Sequence, residues 1–216
     1  MSSLSADGFD VPDGIGPLQS GTSVLLTGDD ADALESVFAR IVAPADAERG
    51  VVLTTEHRGR AVQRALNGER RGADDRTAVL AAEGAATSDD ITAIDDLSDL
   101  TGLGMTFSSL VAEAQQETER FRTGIFLCST IASEIDDTRS LYRFLNSNFL
   151  TELRRGNGIG VCAIDTSADI GADVDSTVTG LKTSFKTHID VDATDRRSAE
   201  LAIDGPDGER TLDTAL

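Results

Sequence analysis

With 216 residues, 39% of them hydrophobic, the chain is long enough for one well-packed α/β domain and too short for two generous ones. Its 19 basic and 38 acidic residues leave a net charge of −19, which argues against DNA, RNA or an anionic membrane surface as a direct partner. No apolar run approaches the roughly 20 residues needed to span a bilayer, and the opening MSSLSADGFD has neither the basic region nor the apolar core of an export signal. A soluble, cytoplasmic protein is expected.

The acidic excess has a particular form. Asp outnumbers Glu by 26 to 12, Arg outnumbers Lys by 17 to 2, and acids occur in nearly every expected loop rather than in one tail. A block of acids would suggest a disordered segment, whereas a dispersed excess suits a surface kept hydrated at high salt. The expected setting is the cytoplasm of a halophilic archaeon.

In chain order, residues 1–15, with Gly8, Pro12 and Gly14, are expected as a flexible lead-in to a domain spanning 16–216. Val24, Leu25 and Leu26 then form a short apolar strand that runs through Thr27 and Gly28 toward a helix from Ala31 to about Val42. Strand, loop and helix are the context in which a phosphate-binding Walker A loop is credible. That loop needs a second glycine, a lysine for the terminal phosphates and a hydroxyl for Mg²⁺. Counted from Gly28, those places hold Ala33, Leu34 and Glu35. Asp29, Asp30 and Asp32 add carboxylates where phosphates would sit, and the simpler reading is a capped helix start with Asp29 or Asp30 as N-cap.

A second strand follows Gly50 (residues 51–55), then a polar helix around Arg58 to Leu66, a third strand from Thr77 to Ala82 and a Ser/Asp-rich connector from Thr87 to about Asp99. A helix is expected from Thr106 to Arg120, and GIFLCS at 124–129 reads as a strand buried on both faces. Leu141, Phe144, Leu145, Phe149, Leu150 and Leu153 mark a helix from Thr138 to Arg154, whose Arg139, Arg143, Arg154 and Arg155 form a solvated face. A strand from Ile159 to Ile164 comes next. Cys128 and Cys162 lie in apolar runs without CxxC spacing, so both are expected as unpaired small buried side chains. The last forty residues change to short strands at 184–191, 199–203 and 210–212, with GPDG at 205–208 as a hairpin turn. The alternation of strand and helix implies a mostly parallel sheet covered by helices.

Taken in order, these segments resemble RecA-type ATPase domains, and specifically the KaiC-like branch common in haloarchaea. GIGPLQSGTSVLLTG resembles that branch's approach to its first strand, and VVLTTEHRG its second strand, which ends in a pair of catalytic acids. GIFLCS sits where the Walker B strand belongs, GIGVCAID fits the next core strand, and LKTSFKTHIDV resembles the C-terminal β segment. The likeness covers residues 15 to 212 and lies in the order and spacing of weak motifs. DLTGLG at 99–104 is similar to a haloarchaeal subgroup with degenerate nucleotide sites and no clearly assigned activity. The implied fold is a three-layer αβα RecA-like domain with a mostly parallel central sheet and a C-terminal antiparallel hairpin edge.

The resemblance places the Walker B acid at Cys128 or Ser129, the first catalytic acid at Glu56 and the second at His57. Glu56 is thus a vestigial candidate without a phosphate or metal beside it. Asp165 ends the strand that in this fold lies between the Walker A and Walker B strands, at the switch point where open α/β sheets bind ligands. The chain's two lysines, Lys182 and Lys186, fall in the segment that in related assemblies reaches a neighbouring subunit, and are candidates for contact with acids of another protomer. His57 and His188 are too isolated to suggest a metal or a nucleophile.

Three functions follow from this reading. The first is a catalytically inactive domain acting as a regulatory or scaffolding module, without cofactor or metal, through protein partners such as itself or a paralogue. The second is a KaiC-like ATPase with an unorthodox phosphate loop, using ATP and Mg²⁺. The third is a signalling or transcription-linked adaptor acting through proteins, and it is the natural outlet of the first. The composition alone makes one measurable demand. Carboxylates repel across a Debye length of about 10 Å at 0.1 M salt but only about 3 Å at 1 M, so the thermal unfolding midpoint should rise with KCl. A flat or falling midpoint would refute the halophilic reading.

Overall fold

The computed structural model describes residues 8–84, 90–135 and 137–216. Two short antiparallel strands, β1 (Gly8–Phe9) and β2 (Leu18–Gln19), precede the main sheet. There follow β3 (Ser23–Gly28), α1 (Ala31–Val42), β4 (Arg49–Arg58), α2 (Gly59–Glu69), β5 (Thr77–Glu83), β6 (Ile91–Ala93) and α3 (Leu100–Glu117). The second half holds β7 (Phe121–Phe126), α4 (Cys128–Ser133), α5 (Thr138–Phe144), α6 (Leu150–Arg155), β8 (Gly158–Asp165), α7 (Val174–Lys182), β9 (Thr187–Asp195), β10 (Ser198–Gly205) and β11 (Gly208–Ala215).

Nine strands form one sheet in the order β11-β10-β9-β3-β8-β7-β4-β5-β6. From β9 to β6 all neighbours run parallel, and β9, β10 and β11 are joined as antiparallel hairpins. Alternate residues of the central strands feed two cores. Val24 and Leu26 face α1 and α2, whereas Leu25, Val51 and Leu53 face α3, α5, α6 and α7. This is the three-layer α/β architecture implied by the sequence, with its antiparallel C-terminal edge.

Residues 8–15 do not behave as a flexible lead-in. Residues 1–7 lie outside the described residues, but Phe9, Val11 and Ile15 are buried in the core. They are held by a charged hub. Arg122 on β7 is completely buried and donates from Nε to Glu48 at 2.5 Å, from one terminal nitrogen to the Ile41 carbonyl at 2.7 Å, and from the other to the Asp10 carbonyl at 2.9 Å. Arg120 donates to the Gly8 carbonyl and lies 4.1 Å from the centre of the Phe9 ring. Burial pushes the Glu48 carboxyl up, but the Arg122 contact, the Ala45 N–H and the Arg120 charge outweigh it and hold it below its ordinary value.

Several boundaries differ from the sequence expectation, each for a tertiary reason. The buried strand ends at Phe126, not Ser129, because Leu127 takes a left-handed conformation (φ 61°) and α4 begins at once. The Thr55 hydroxyl reaches the carbonyls of Phe126 and Leu127 at this turn. Helix α3 starts at Leu100, six residues before the expected Thr106, with the Asp99 carboxylate accepting from the Gly102 N–H at 3.0 Å. Gly104 is not a breaker there; a side chain on it would meet the Asn148 amide at 2.6 Å, so it permits close helix packing. The connector from Thr87 holds a third-edge strand, β6, and its residues 87–89 lie outside the described residues. Helix α7 is an additional element, with the Asp173 carboxylate accepting from the N–H groups of Asp175 and Ser176. Strand β9 therefore begins at Thr187 rather than Ser184.

The helix expected from Thr138 to Arg154 is one helical run interrupted by a π turn at Leu145–Phe149. The apolar doublets Phe144–Leu145 and Phe149–Leu150 are five apart, the span of a π hydrogen bond such as that from the Leu150 N–H to the Leu145 carbonyl, so one wide turn keeps both on the core face. Thr151 donates to the Asn146 carbonyl across it. Arg139, Arg143, Arg154 and Arg155 are exposed, as expected.

Cys128 and Cys162, expected as unpaired, form a disulfide with Cα atoms 6.6 Å apart. Strands β7 and β8 are parallel neighbours, with Ile125 opposite Cys162, and the first turn of α4 folds Cys128 over β8. The 34-residue separation hides this in the sequence.

The Arg122 hub yields a stability prediction. Truncating one partner of a buried ion pair strands the other charge and costs about 3–5 kcal/mol. Arg122→Ala should destabilise by that amount in urea unfolding at high salt, and adding Glu48→Ala should recover part of the loss. Additive single effects would contradict the coupling.

Candidate functional site

The carboxyl ends of β3, β8, β7 and β4 open on one crevice, at the position where open α/β sheets bind ligands. Gly28 ends β3 beside β9, and a Cβ on it would approach the Val191 carbonyl oxygen to 2.7 Å. Only Asp29 and Asp30 separate β3 from α1. Asp30 is the N-cap: its carboxylate accepts from the Ala33 N–H at 2.9 Å, and its carbonyl accepts from Leu34 N–H at 3.0 Å. Ala33 and Leu34 are buried in the core under the first turn, while Asp29, Asp30 and Asp32 are exposed.

Glu35 turns across the crevice to β4. Its carboxylate lies 3.3 Å from His57 Nε2, and both side chains are about one-third exposed. The imidazole stacks on Phe126 with ring centres 5.3 Å apart. The hydrogen bond from Glu35 raises the His57 pKa above its ordinary value; burial opposes this, and the charges of Glu35 and Glu56 add to it. Glu56, the next residue on the strand, is exposed and accepts from the Thr130 hydroxyl of α4 at 2.7 Å.

Between β3 and β7, Asp165 at the end of β8 pairs in register with Gly28. Its carboxylate accepts from the Ser167 N–H at 2.8 Å and the Ser167 hydroxyl at 2.6 Å, and its N–H donates to Ser129 Oγ at 3.3 Å. Cys128 is buried in the disulfide and Ser129 is buried beneath the crevice. The structure thus gathers Gly28, Asp29, Asp30, Asp32, Glu35, Glu56, Ser129 and Asp165 around one strand-end crevice. Within it the single basic side chain just described is His57.

The lysines are elsewhere. Lys182 ends α7, and Lys186 precedes β9 with its N–H on the Ser23 carbonyl, at the opposite end of the sheet from the crevice. Neither lies on a β strand, because α7 and the turn after it occupy that stretch. Two features carried no local signal. Thr130, which holds Glu56, is 74 residues away from it in sequence. Thr27 brings together two residues of β9: its hydroxyl lies 2.5 Å from the Asp190 carboxylate and 2.8 Å from His188 Nε2. Burial, then the charge of Lys182, lowers the His188 pKa. A cavity of about 690 Å³ lies between the start of α3 and α5, and none of the crevice residues lines it. Among the described residues, no group of three His, Cys, Asp or Glu side chains converges as a metal-binding set, and no helix is long and apolar enough to cross a membrane.

The layers, strand order and hairpin edge define a RecA-like fold. A solved KaiC-like protein from the hyperthermophilic archaeon Pyrococcus horikoshii OT3 is similar to it over 93% of this chain and 83% of that one, with a TM-score of 0.55 and 14% identity, a likeness of fold alone. The chain belongs to the family of unknown function DUF7504, whose model matches residues 21–202. No curated protein matches it.

The Glu35–His57 contact predicts a pH dependence. A raised folded value means that the contact stabilises fully below the ordinary histidine value and that this contribution is lost as pH rises through the raised one. An NMR titration of the His57 ring in molar KCl should give a midpoint above that of a free histidine, and Glu35→Gln should lower it. An unchanged midpoint in the variant would show that Glu35 is not the cause.

Proposed function

We propose that this chain is a non-hydrolysing RecA/KaiC-like domain, working in a halophilic archaeal cytoplasm as a regulatory or scaffolding module that binds proteins. The observation that carries the reading is the start of α1. A phosphate loop holds its anion with backbone N–H groups spread over several residues between strand and helix. Here the link is two residues long, and the Ala33 N–H is taken by the Asp30 carboxylate at 2.9 Å. The side chains agree with this. Ala33 and Leu34 offer neither a cation nor close backbone approach, and Glu35 is engaged by His57. The residues present do not fit a Mg-nucleotide, whose phosphates would meet carboxylates at Asp29, Asp30 and Asp32.

The surface charge directs the module toward protein partners and away from nucleic acid. Signalling or transcription-linked regulation through another protein is the setting that this chemistry suits. The alternative is an ATPase with an unorthodox loop. One observation favours it: Glu56 stands exposed at a strand end with its carboxylate held by Thr130.

Calorimetric titration with Mg-ATP in molar KCl separates the two. Charge-assisted contacts of the missing kind are worth roughly 1.5–3 kcal/mol each, so their loss moves a micromolar ligand to the millimolar range or weaker. No saturable binding is expected, and phosphate release should be equal for wild type and Glu56→Gln. Tight binding, or turnover that disappears in Glu56→Gln, would establish the ATPase.

A further inference from the structure

The cavity of about 690 Å³ stands apart from the crevice and has walls of its own. It is bounded by the segment entering α3, the link from α4 to α5, α5 itself and the π turn. Its size falls within the roughly 300–1,000 Å³ typical of small-molecule sites. Two local features converge on it. The DLTGLG stretch at 99–104 supplies Asp99, Leu100 and Thr101 to the wall, and the π turn, a geometry frequent at functional sites, supplies Ser147 and Asn148.

The charges in the lining are mixed and unevenly engaged. Three carboxylates, Asp99, Glu134 and Asp137, share the hollow with one guanidinium, Arg143. Asp99 accepts from the Gly102 N–H at 3.0 Å and Asp137 from the Arg139 N–H at 2.9 Å, so each caps the helix it precedes. Glu134 and Arg143 are exposed, and among the described residues the side chain of neither is in a hydrogen bond or an ion pair. Two opposite charges that line one hollow without meeting each other suit a ligand that carries both. The apolar part of the wall is also incompletely covered. Leu100 and Ile135 are only partly buried against the helical core, and Met105, at 70% exposure, is the one large hydrophobic side chain left in water among the described residues. Its flexible thioether adapts to the shape it covers.

Ligands of a single charge fit this wall poorly. An anion such as phosphate would meet three carboxylates for one guanidinium, and a simple cation would leave Arg143 unmatched beside it. We infer that the cavity binds an apolar zwitterion, with its ammonium group held by Glu134, its carboxylate held by the planar fork of Arg143, and its aliphatic side chain laid on Leu100, Ile135 and Met105. A free aliphatic amino acid and a short apolar peptide share this chemistry. The Thr101 and Ser147 hydroxyls add neutral donors and acceptors for the rest of the ligand. The site goes beyond the protein-binding reading and gives the module a small effector. None of the crevice residues lines the cavity, so a nucleotide result at the crevice does not bear on it.

The test is calorimetric titration of the full chain in molar KCl with L-leucine and with leucyl-leucine. Glycine, N-acetyl-L-leucine and L-leucinamide, which lack in turn the side chain, the ammonium and the carboxylate, serve as comparisons. One of the two zwitterions should bind saturably below about 10 mM, and each comparison compound should bind about tenfold more weakly or worse. Tighter binding of leucine assigns the site to a free amino acid, and tighter binding of leucyl-leucine assigns it to a short peptide. Glu134→Gln and Arg143→Gln should stay folded by circular dichroism and each weaken the zwitterion by a similar factor. Arg143→Gln should also cease to distinguish leucine from leucinamide, and Glu134→Gln leucine from N-acetyl-leucine. No saturable binding of either zwitterion, comparison compounds that bind as well as they do, or variants that keep the affinity and discrimination of wild type would overturn the inference.

Discussion

The buried guanidinium of Arg122 fixes the end of the molecule on which the crevice geometry depends. It joins the central strand β7 to Glu48 ahead of β4, to the last turn of α1 through the Ile41 carbonyl, and to the N-terminal segment through Asp10. A second buried arginine, Arg40, ties the same end of α1 to Ala215 of β11 at 2.8 Å and lies 3.1 Å from the Asp13 carboxylate. The C-terminal end of α1 is thus held from both sides, while its first turn is held at the crevice by the Asp30 cap, the buried Ala33 and Leu34 and the Glu35–His57 contact. Stability is concentrated at one end of the parallel strands and the strand-end chemistry at the other. The separation leaves the two-residue link from β3 to α1 outside the part of the molecule that holds the architecture together.

Much of the architecture was legible from local pattern. The run from Ser23 to Gly28, the helix from Ala31 to Val42 and the strand ending at Asp165 announce themselves through continuous burial or an N-cap aspartate, signals contained within a few residues. The parts that escaped depend on distant neighbours. Gly102 and Gly104 look like breakers until Asn148 is seen packed against one of them. Arg122 looks like a surface residue until Glu48 is placed beside it, so the apolar pattern marks a strand start at Gly124 although the strand begins at Phe121. The cysteines look independent until the first turn of α4 lays Cys128 over Cys162 of β8.

The crevice shows the same division. Spacing from Gly28 pointed to Glu35, and resemblance to the second strand pointed to Glu56 and His57, each as a departure from an expected chemistry. The bond between Glu35 and His57 could not be read from either, because it spans the first turn of α1 and the end of β4. The two positions are joined in the structure by a carboxylate–imidazole contact between the first turn of α1 and the end of β4. His188 is a comparable case, isolated in sequence yet held with Asp190 around Thr27.

The π turn between α5 and α6 has a consequence for chain length. Its wide turn accommodates one residue more than an α-helix would need to carry the apolar doublets at 144–145 and 149–150 on one face. A deletion within Asn146–Asn148 would bring the doublets to four apart and leave both flanking helices facing the same core. The exposed Ser147 lines the 690 Å³ cavity and is the surplus residue on the cavity wall, whereas Asn148 also packs against Gly104. This turn is therefore the place in the helical layer where the chain can shorten by one residue and reshape a solvent-facing hollow while every buried contact beneath keeps its phase.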